Sequence, residues 1–435
     1  MSGMLLSALA VSKASAQEVK PLTLSEAINL GIQNSTTLKL SQARVDEAVS
    51  RYNQAKDNIL PKASASYAYN HAEIPTTTLQ IGPGTPLHLP KRADAFIGTL
   101  SVQEMIFAGN KFKYAKESTD LLARAARLDA ERDKDEIVYT IVNAYYNLYK
   151  INQTKKVVEQ NLEAIDNQLK QAQRFFDQGI VTKNDVLRFQ LQRSNSELTG
   201  IDLENNRKIV NYNLDVLLGL PENTQIQVNE FADSPQYAGP LSAYIDSALS
   251  NRQEIRSAGL RTQLAVNNIN TIKADIKPTI GVGANMYYIN PSGKFIPPAN
   301  SFIAPISVGA TIAWNFDRFW MNKNKLAEAN IQRSEAELGR TISSDAVKTE
   351  VNQNYQNYLT ALQRIKVYQT SIAQAAENDK ILESKYKNNV ASVTDRIDAQ
   401  TQLFQTQVNL EIAKADAGLA YYSLLKSTGS ILTAQ

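Results

Sequence analysis

The chain contains no cysteine. That excludes disulfides, thiolate metal sites, thiol nucleophiles and a lipid carried on an N-terminal cysteine. Histidine is almost as scarce, with only His71 and His88 in 435 residues. No P-loop, G-x-S-x-G or dinucleotide fingerprint is present, so the residues point to no enzyme, no metal site and no cofactor. No apolar run approaches the roughly 18 residues of a membrane-spanning helix. Charge excess is missing too. With 46 basic and 43 acidic residues the net charge is +3, and without a basic run nothing marks a nucleic-acid partner.

Proline is absent where it would matter most. None stands between Pro90 and Pro221, and none follows Pro305. Between Lys111 and Gly219 the only glycines are Gly179, Gly200 and Gly219. Tracts without breakers, rich in Ala, Leu, Gln, Asn, Glu and Lys, read as long helices. Their apolar residues recur at spacings of three and four. Val158, Leu162, Ile165, Leu169, Ala172 and Phe176 form one line, and Val351, Tyr355, Tyr358, Leu362, Ile365 and Ile372 another. Each is a heptad-like seam. Nothing stops a helix between Lys113 and Asp177, which at 1.5 Å per residue would span on the order of 100 Å.

The prolines and glycines that are present gather in two windows, Pro61 to Pro90 and Pro278 to Pro305. Period-two alternation flanks them and predicts strands over about 62–74, 96–107, 279–289 and 303–316. In the third, Ile280, Val282, Ala284, Met286 and Tyr288 share one face, opposite Thr279, Gly281, Gly283, Asn285 and Tyr287. Roughly 10 residues of alternation is the length of a transmembrane β-strand. Terminal aromatics such as Tyr67, Tyr69, Tyr288 and Trp314 suit an interfacial girdle. The other reading is an ordinary antiparallel sheet with one dry face.

The chain is a duplication. Ile28, Asn34, Leu38 and Pro61 recur as Ile245, Asn251, Ile255 and Pro278. V-N-x-x-Y-x-x-Y occurs at Val142–Tyr149 and again at Val351–Tyr358. From Phe176 onward the two halves stay in step without a gap, to Gly219 and Gly429. The expected boundaries are a first repeat over 17–239 and a second over 240–435. Each reads helix, strand, strand, very long helix, tight turn, helix. The turns are hairpin tips at about 177–185 and 387–395. Gly179, or the Asn388-Asn389 pair, supplies the left-handed residue that ends the incoming helix. Thr182 or Ser392 caps the outgoing one. Residues 1–16 (Met4–Val11 apolar, then Ala14-Ser15-Ala16) read as a signal peptide lacking its basic start, or as a disordered or helical tail.

Four strands cannot close a barrel, and unpaired edges cannot sit in lipid. The strands must therefore pair with other copies, and three chains would supply twelve. The fold class expected is mostly α with membrane β: a trimeric 12-stranded β-barrel continuous with a long α-barrel.

On the duplicated architecture, on D-x-x-D-A-Q-T at Asp395–Thr401 and on G-x-V-x-x-x-D-V-L at Gly179–Leu187, the sequence resembles the TolC-like outer membrane efflux protein family. The resemblance covers nearly the whole chain after the signal segment. It implies a homotrimer in the outer membrane of a diderm bacterium, in contact with its lipid and extending into the periplasm. It also implies a passive exit duct for a tripartite efflux pump or type I secretion system. The implied partners are a periplasmic adaptor (membrane fusion) protein and an inner-membrane transporter. Asp395 and Asp398, three residues apart on one helix face, map to the family's pore constriction, where stacked carboxylate rings would favour cations and raise some carboxyl pKa values. Without the family, Asp395 reads as a first-turn acid on a helix. Tyr386 and Asp185 map to a latch between hairpins. A family arginine maps to Ala391, leaving Lys387 as a substitute. Tyr386 reads equally as a packing residue. Gly179, Ile180, Val181, Thr182, Val390, Ala391 and Ser392 are the tip residues expected to meet the adaptor. The alternative is a structural periplasmic coiled-coil protein of the cell envelope, its β-segments acting as soluble connectors.

Overall fold

The structure, a computed structural model, describes residues 19–73, 75, 78–80, 82–88, 91–222, 224–228, 239–291 and 303–434. The expected signal segment, residue 74 and parts of both proline-rich windows lie outside the described residues. In chain order the elements are β1 (Val19–Leu22), α1 (Leu24–Asn34), α2 (Thr36–Asp57), β2 (Lys62–Glu73), β3 (Thr78–Leu79), β4 (Leu87–His88), β5 (Arg92–Phe107), α3 (Lys111–Asp177) and α4 (Lys183–Leu218). Then follow β6 (Gln225–Val228), α5 (Leu241–Asn251), α6 (Gln253–Ala274), β7 (Thr279–Pro291), β8 (Ile306–Ala313), α7 (Arg318–Lys387), α8 (Val393–Ser427) and a closing 3-10 turn, Ile431–Ala434.

The repeat is visible as matched lengths. α1 and α5 have 11 residues each and α2 and α6 have 22 each. α3 and α7 have 67 and 70, and α4 and α8 have 36 and 35. Both copies break their first helix at the same place, Ser35 in one and Arg252 in the other. α1 starts in a reciprocal cap: Thr23 N–H donates to Glu26 at 2.8 Å and Glu26 N–H donates to the Thr23 hydroxyl oxygen at 3.2 Å.

The chain divides into two compact units. One comprises residues 43–127 and 257–341. Its centre is an antiparallel sheet in the order β2-β5-β7-β8. Ser64 lies opposite Ser101, Gly98 opposite Tyr288 and Gly283 opposite Gly309. A bulge between Met105 and Phe107 shifts the register by one. β5 starts earlier than its alternation suggested, at Arg92, because it pairs with the whole of β2 down to Glu73. β8 is shorter than expected and stops at Ala313. There Trp314 turns its indole N–H onto the Ile276 carbonyl at 3.0 Å and stacks on Phe316 at 4.8 Å. Every residue of β2 and of β8 is exposed. Ile306, Val308 and Ile312 are each more than 70% exposed, and Tyr67 is 68% exposed. β3 and β4 form a short hairpin (Thr78 opposite His88) within a segment that reads as loop.

The other unit comprises residues 1–42, 128–256 and 342–435. Its largest core gathers Leu22, Ile28, Val138, Ile141, Val142, Tyr145, Leu214, Leu218 and Ile226. A parallel pair, β1 with β6, closes it, with Leu22 opposite Val228. The buried Tyr145 hydroxyl donates to the Leu22 carbonyl at 2.6 Å. A smaller core repeats the theme in the second half with Val347, Val351, Tyr358 and Leu424. At Gly418 the ring of Tyr146 fills the space of a side chain: a Cβ there would lie 2.2 Å from Tyr146 Cε1. Among the described residues no helix is long and apolar enough to cross a membrane.

The seam of α3 lies beside the line drawn from apolar residues alone. Its buried positions are Thr154, Val158, Asn161, Ile165, Gln168 and Ala172, a regular four-three alternation. Leu162 and Leu169 are only half-buried. Phe176 is 38% exposed, and its neighbour Phe175 takes the packing place. α3 packs against more than one helix, and at the seam position Asn161 a polar group meets Ser196 of α4 and Gln400 of α8.

Candidate functional site at the hairpin tips

Both tips stop their incoming helix in the same way. Gly179 has φ +71°. Its N–H donates to the Phe176 carbonyl at 2.9 Å, and Ile180 N–H reaches back to Phe175 at 2.8 Å. In the second repeat Asn389 takes φ 60°, with Asn389 N–H on Tyr386 at 3.0 Å and Val390 N–H on Lys385 at 2.8 Å. This is the Schellman arrangement, which needs a left-handed residue at its corner. Asn389, the second of the expected asparagine pair, fills that corner. A Cβ at Gly179 would meet nothing within 4 Å. Gly179→Ala therefore costs only the backbone penalty, roughly 1 kcal/mol, while Asn389→Gly is close to neutral. Hydrogen exchange of the amides at 176–182 should accelerate about fivefold in Gly179→Ala. An unchanged rate would refute the strain argument.

The outgoing helices also start alike. Thr182 donates its N–H and hydroxyl to Asp185 Oδ2 at 2.9 and 2.8 Å. Ser392 does the same to Asp395 Oδ2 at 3.1 and 2.7 Å, and its own hydroxyl oxygen accepts from Asp395 N–H at 3.1 Å. Asp185 and Asp395 are equivalent capping-box acids. The Ser392 hydroxyl, and after it the Ser392 N–H, hold the Asp395 carboxyl below its ordinary range. Asp398 is exposed and has no hydrogen-bond or ion-pair partner among the described residues. Its first-repeat equivalent, Arg188, donates instead to Thr394 Oγ1 at 2.9 Å.

Between the tips sits a small apolar cluster of Ala172, Val186, Phe189, Tyr386 and Val393, with Phe175 and Ala391 against it. Tyr386 is 3% exposed and its ring lies 5.9 Å from Phe175 and 6.1 Å from Phe189. It packs in this cluster, and its buried hydroxyl has no partner among the described residues. Burial raises its pKa, with nearby Asp185 adding to the effect and Arg396 opposing it. Asp185 is thus close to Tyr386 but bonded to Thr182. Lys387 is held by Glu383 at 2.7 Å on the exposed surface, and its hydrogen bond lowers the Glu383 carboxyl pKa. At the turns themselves Ile180 is 44% and Val390 73% exposed. Gly179, Thr182 and Ser392 are exposed, and Val181 and Ala391 half-buried.

Three features of this site escape a sequence reading. Arg396 and Asp379 form an ion pair with side chains only 5% and 16% exposed. Asn161 donates to Ser196 Oγ at 3.1 Å and accepts from Gln400 Nε2 at 3.1 Å, all three residues being buried. Gln192 donates to Thr401 Oγ1 at 3.1 Å. The usable signal was the seven-residue spacing of Thr154, Asn161 and Gln168, polar groups at regular seam positions.

A family model described as outer membrane efflux protein matches residues 27–220 and 244–430. The outer membrane efflux protein BepC of Brucella suis is 24% identical over 427 residues, covering 95% of this chain and 86% of that protein. The outer membrane protein TolC of Escherichia coli is 20% identical over 407 residues, covering 91% of this chain and 79% of its own. Among solved structures, the outer membrane protein VceC of Vibrio cholerae superposes with a TM-score of 0.77 at 17% identity, over 94% of this chain and 96% of that one.

Proposed function

The chain belongs to the outer membrane efflux protein family, and from that membership we propose that it is the exit duct of a tripartite efflux pump or type I secretion system. It acts in the outer membrane as a passive conduit gated at its periplasmic helical tips. The observation that carries this reading is the sheet β2-β5-β7-β8, whose outer strands expose both edges and large apolar side chains. Long exposed apolar edges aggregate in water and cannot persist in lipid. Pairing β8 of one copy with β2 of the next satisfies both edges, and three copies close a twelve-stranded barrel. Helices α3, α4, α7 and α8 then build the periplasmic α-barrel. An adaptor engages the turns through Gly179–Thr182 and Val390–Ser392, and an inner-membrane transporter supplies the energy. Tyr386, Asp185 and Lys387 are the latch candidates, with Tyr386 contributing through packing.

Two rings of three carboxylates, from Asp395 and Asp398, narrow the pore. Purified protein should run as a detergent-requiring, heat-modifiable trimer and form channels in planar bilayers. Asp398→Asn with Asp395→Asn should raise conductance and weaken block by multivalent cations several-fold. Asp398→Asn alone should give part of this change and leaves the Asp395 cap intact. A channel identical to wild type would remove both acids from the constriction. A water-soluble monomer would end the duct reading altogether.

A further inference from the structure

We propose that the buried triad Asn161–Ser196–Gln400 is a register lock between the two hairpins, the contact whose rupture sets the cost of opening the tip. The proposal rests on the reading of the chain as a duct gated there. Ser196 on α4 accepts from Asn161 Nδ2 and so fixes the orientation of the amide within the first hairpin. Asn161 Oδ1 is thereby aimed at α8, where Gln400 Nε2 donates to it at 3.1 Å. Asn161, Ser196 and Gln400 are 7%, 5% and 5% exposed.

Two other hydrogen bonds also tie α4 to α8, Arg188 to Thr394 and Gln192 to Thr401. Thr394 is exposed and Thr401 half-buried. Water replaces a lost partner cheaply at such positions. It cannot do so at Asn161, where a separated hairpin leaves a buried acceptor empty. Of the hydrogen bonds that join the two hairpins near the tips, Gln400 to Asn161 is therefore the one whose loss water offsets least.

Polar groups at seam positions are known to fix register at a cost in stability. That cost is visible one heptad further along: Gln168 is buried and its Oε1 has no partner among the described residues. A seam built for stability alone would be apolar there. The duplication did not copy the lock, since Thr370 occupies the place of Asn161 in the second repeat and Gln190 that of Gln400.

The test is the open-state occupancy of the full-length trimer in planar bilayers. Gln400→Ala empties the Asn161 acceptor and should raise occupancy at least fivefold. Thr394→Val, which removes an exposed bond, should change it less than twofold. Asn161→Leu with Gln400→Leu replaces the polar pair by packing and should restore the closed level. Equal effects of Gln400→Ala and Thr394→Val would overturn the proposal, as would a double variant as leaky as the single one. Should Gln400→Ala fail to assemble, Asn161→Cys with Gln400→Cys serves, because the chain has no other cysteine. Joined by a short bis-maleimide, it should stay at the closed level, and a joined channel that opens normally sinks the lock. Wild type that conducts while these variants do not differ from it refutes the lock alone; wild type that never conducts refutes the duct.

Discussion

Replacing Asp379 by alanine is expected to cost about 3–5 kcal/mol of local stability at the second hairpin, the largest single loss anticipated in this protein. The Arg396 guanidinium is 5% exposed and pairs with Asp379 across the hairpin, α8 to α7. Remove the carboxylate and the buried cation keeps only the Glu383 carboxylate, more exposed and already bonded to Lys387, to neutralise it. The neighbouring pair Lys387–Glu383 is 54% and 43% exposed. It should contribute no more than a few tenths of a kcal/mol, as exposed i,i+4 pairs do. Asp379→Leu combined with Arg396→Met should recover most of the loss, since an apolar pair of similar volume avoids the desolvation cost. Hydrogen exchange on the detergent-solubilised protein reads this directly. Amide protection near Asp379 and Arg396 should fall by roughly 10²–10⁴-fold in the single variant. A loss no larger than that of Lys387→Ala would show that the pair carries little. A rigid α7–α8 hairpin matters for function, because a tip that moves as one piece must first hold together as one piece.

The second large effect is a pH dependence written into Asp215. Its residue is fully buried. Oδ2 accepts from Asn211 at 2.9 Å, while Oδ1 has no partner among the described residues. Burial alone pushes the carboxyl up from its ordinary value of 3.8 to about 6. The sign follows from when each state binds the proton. Below about pH 4 both folded and unfolded chains are protonated there, and Asp215 costs nothing. Between about 4 and 6 the unfolded chain ionises while the folded one stays neutral, so stability falls as pH rises. Above 6 the full penalty is present, about 3 kcal/mol at 1.36 kcal/mol per unit. Asp215→Asn keeps an acceptor for Asn211 and lacks this penalty. The variant should match wild type near pH 4 and exceed it progressively up to pH 6–7. Glu204 has the opposite slope: hydrogen bonds from Arg207 and Lys155 hold it to about 2, a contribution lost as pH falls below 4.5. It is common to both proteins and cancels in their difference. Denaturant midpoints by circular dichroism at pH 4, 5, 6 and 7 decide the matter. Parallel curves for variant and wild type would show that Asp215 is not the group responsible.

Asp215 matters locally because the same Asn211 amide donates to the Thr224 carbonyl at 2.7 Å, and its oxygen accepts from Ile226 N–H at 2.9 Å. This small network docks β6 on α4. None of it could be read in the sequence. β1 and β6 are four residues each, too short to show an alternation, and pair in parallel across most of the first repeat. A short strand is specified by the partner it finds, not by its own pattern. The β3–β4 hairpin was hidden for the same reason.

The lettering of the chain was enough to determine what depends on neighbours a few positions away. Long tracts without Pro or Gly had to be helices, since helix propagation is local. Alternation had to be strand. The turns at Gly179 and Asn389 and the caps at Thr182 and Ser392 followed from single-residue backbone preferences, and duplication made each reading count twice. What only the tertiary structure decided is which polar groups meet. The Asp395 carboxylate meets the Ser392 hydroxyl and N–H and closes a cap. Tyr386 could latch or pack, and the rings of Phe175 and Phe189 surround it. Asn161 looked like an interruption in an apolar seam until Gln400, more than two hundred residues away, arrived beside it. Local propensity is additive along the chain, but the cost of burying a polar group depends on its partner, and partners are assigned by packing.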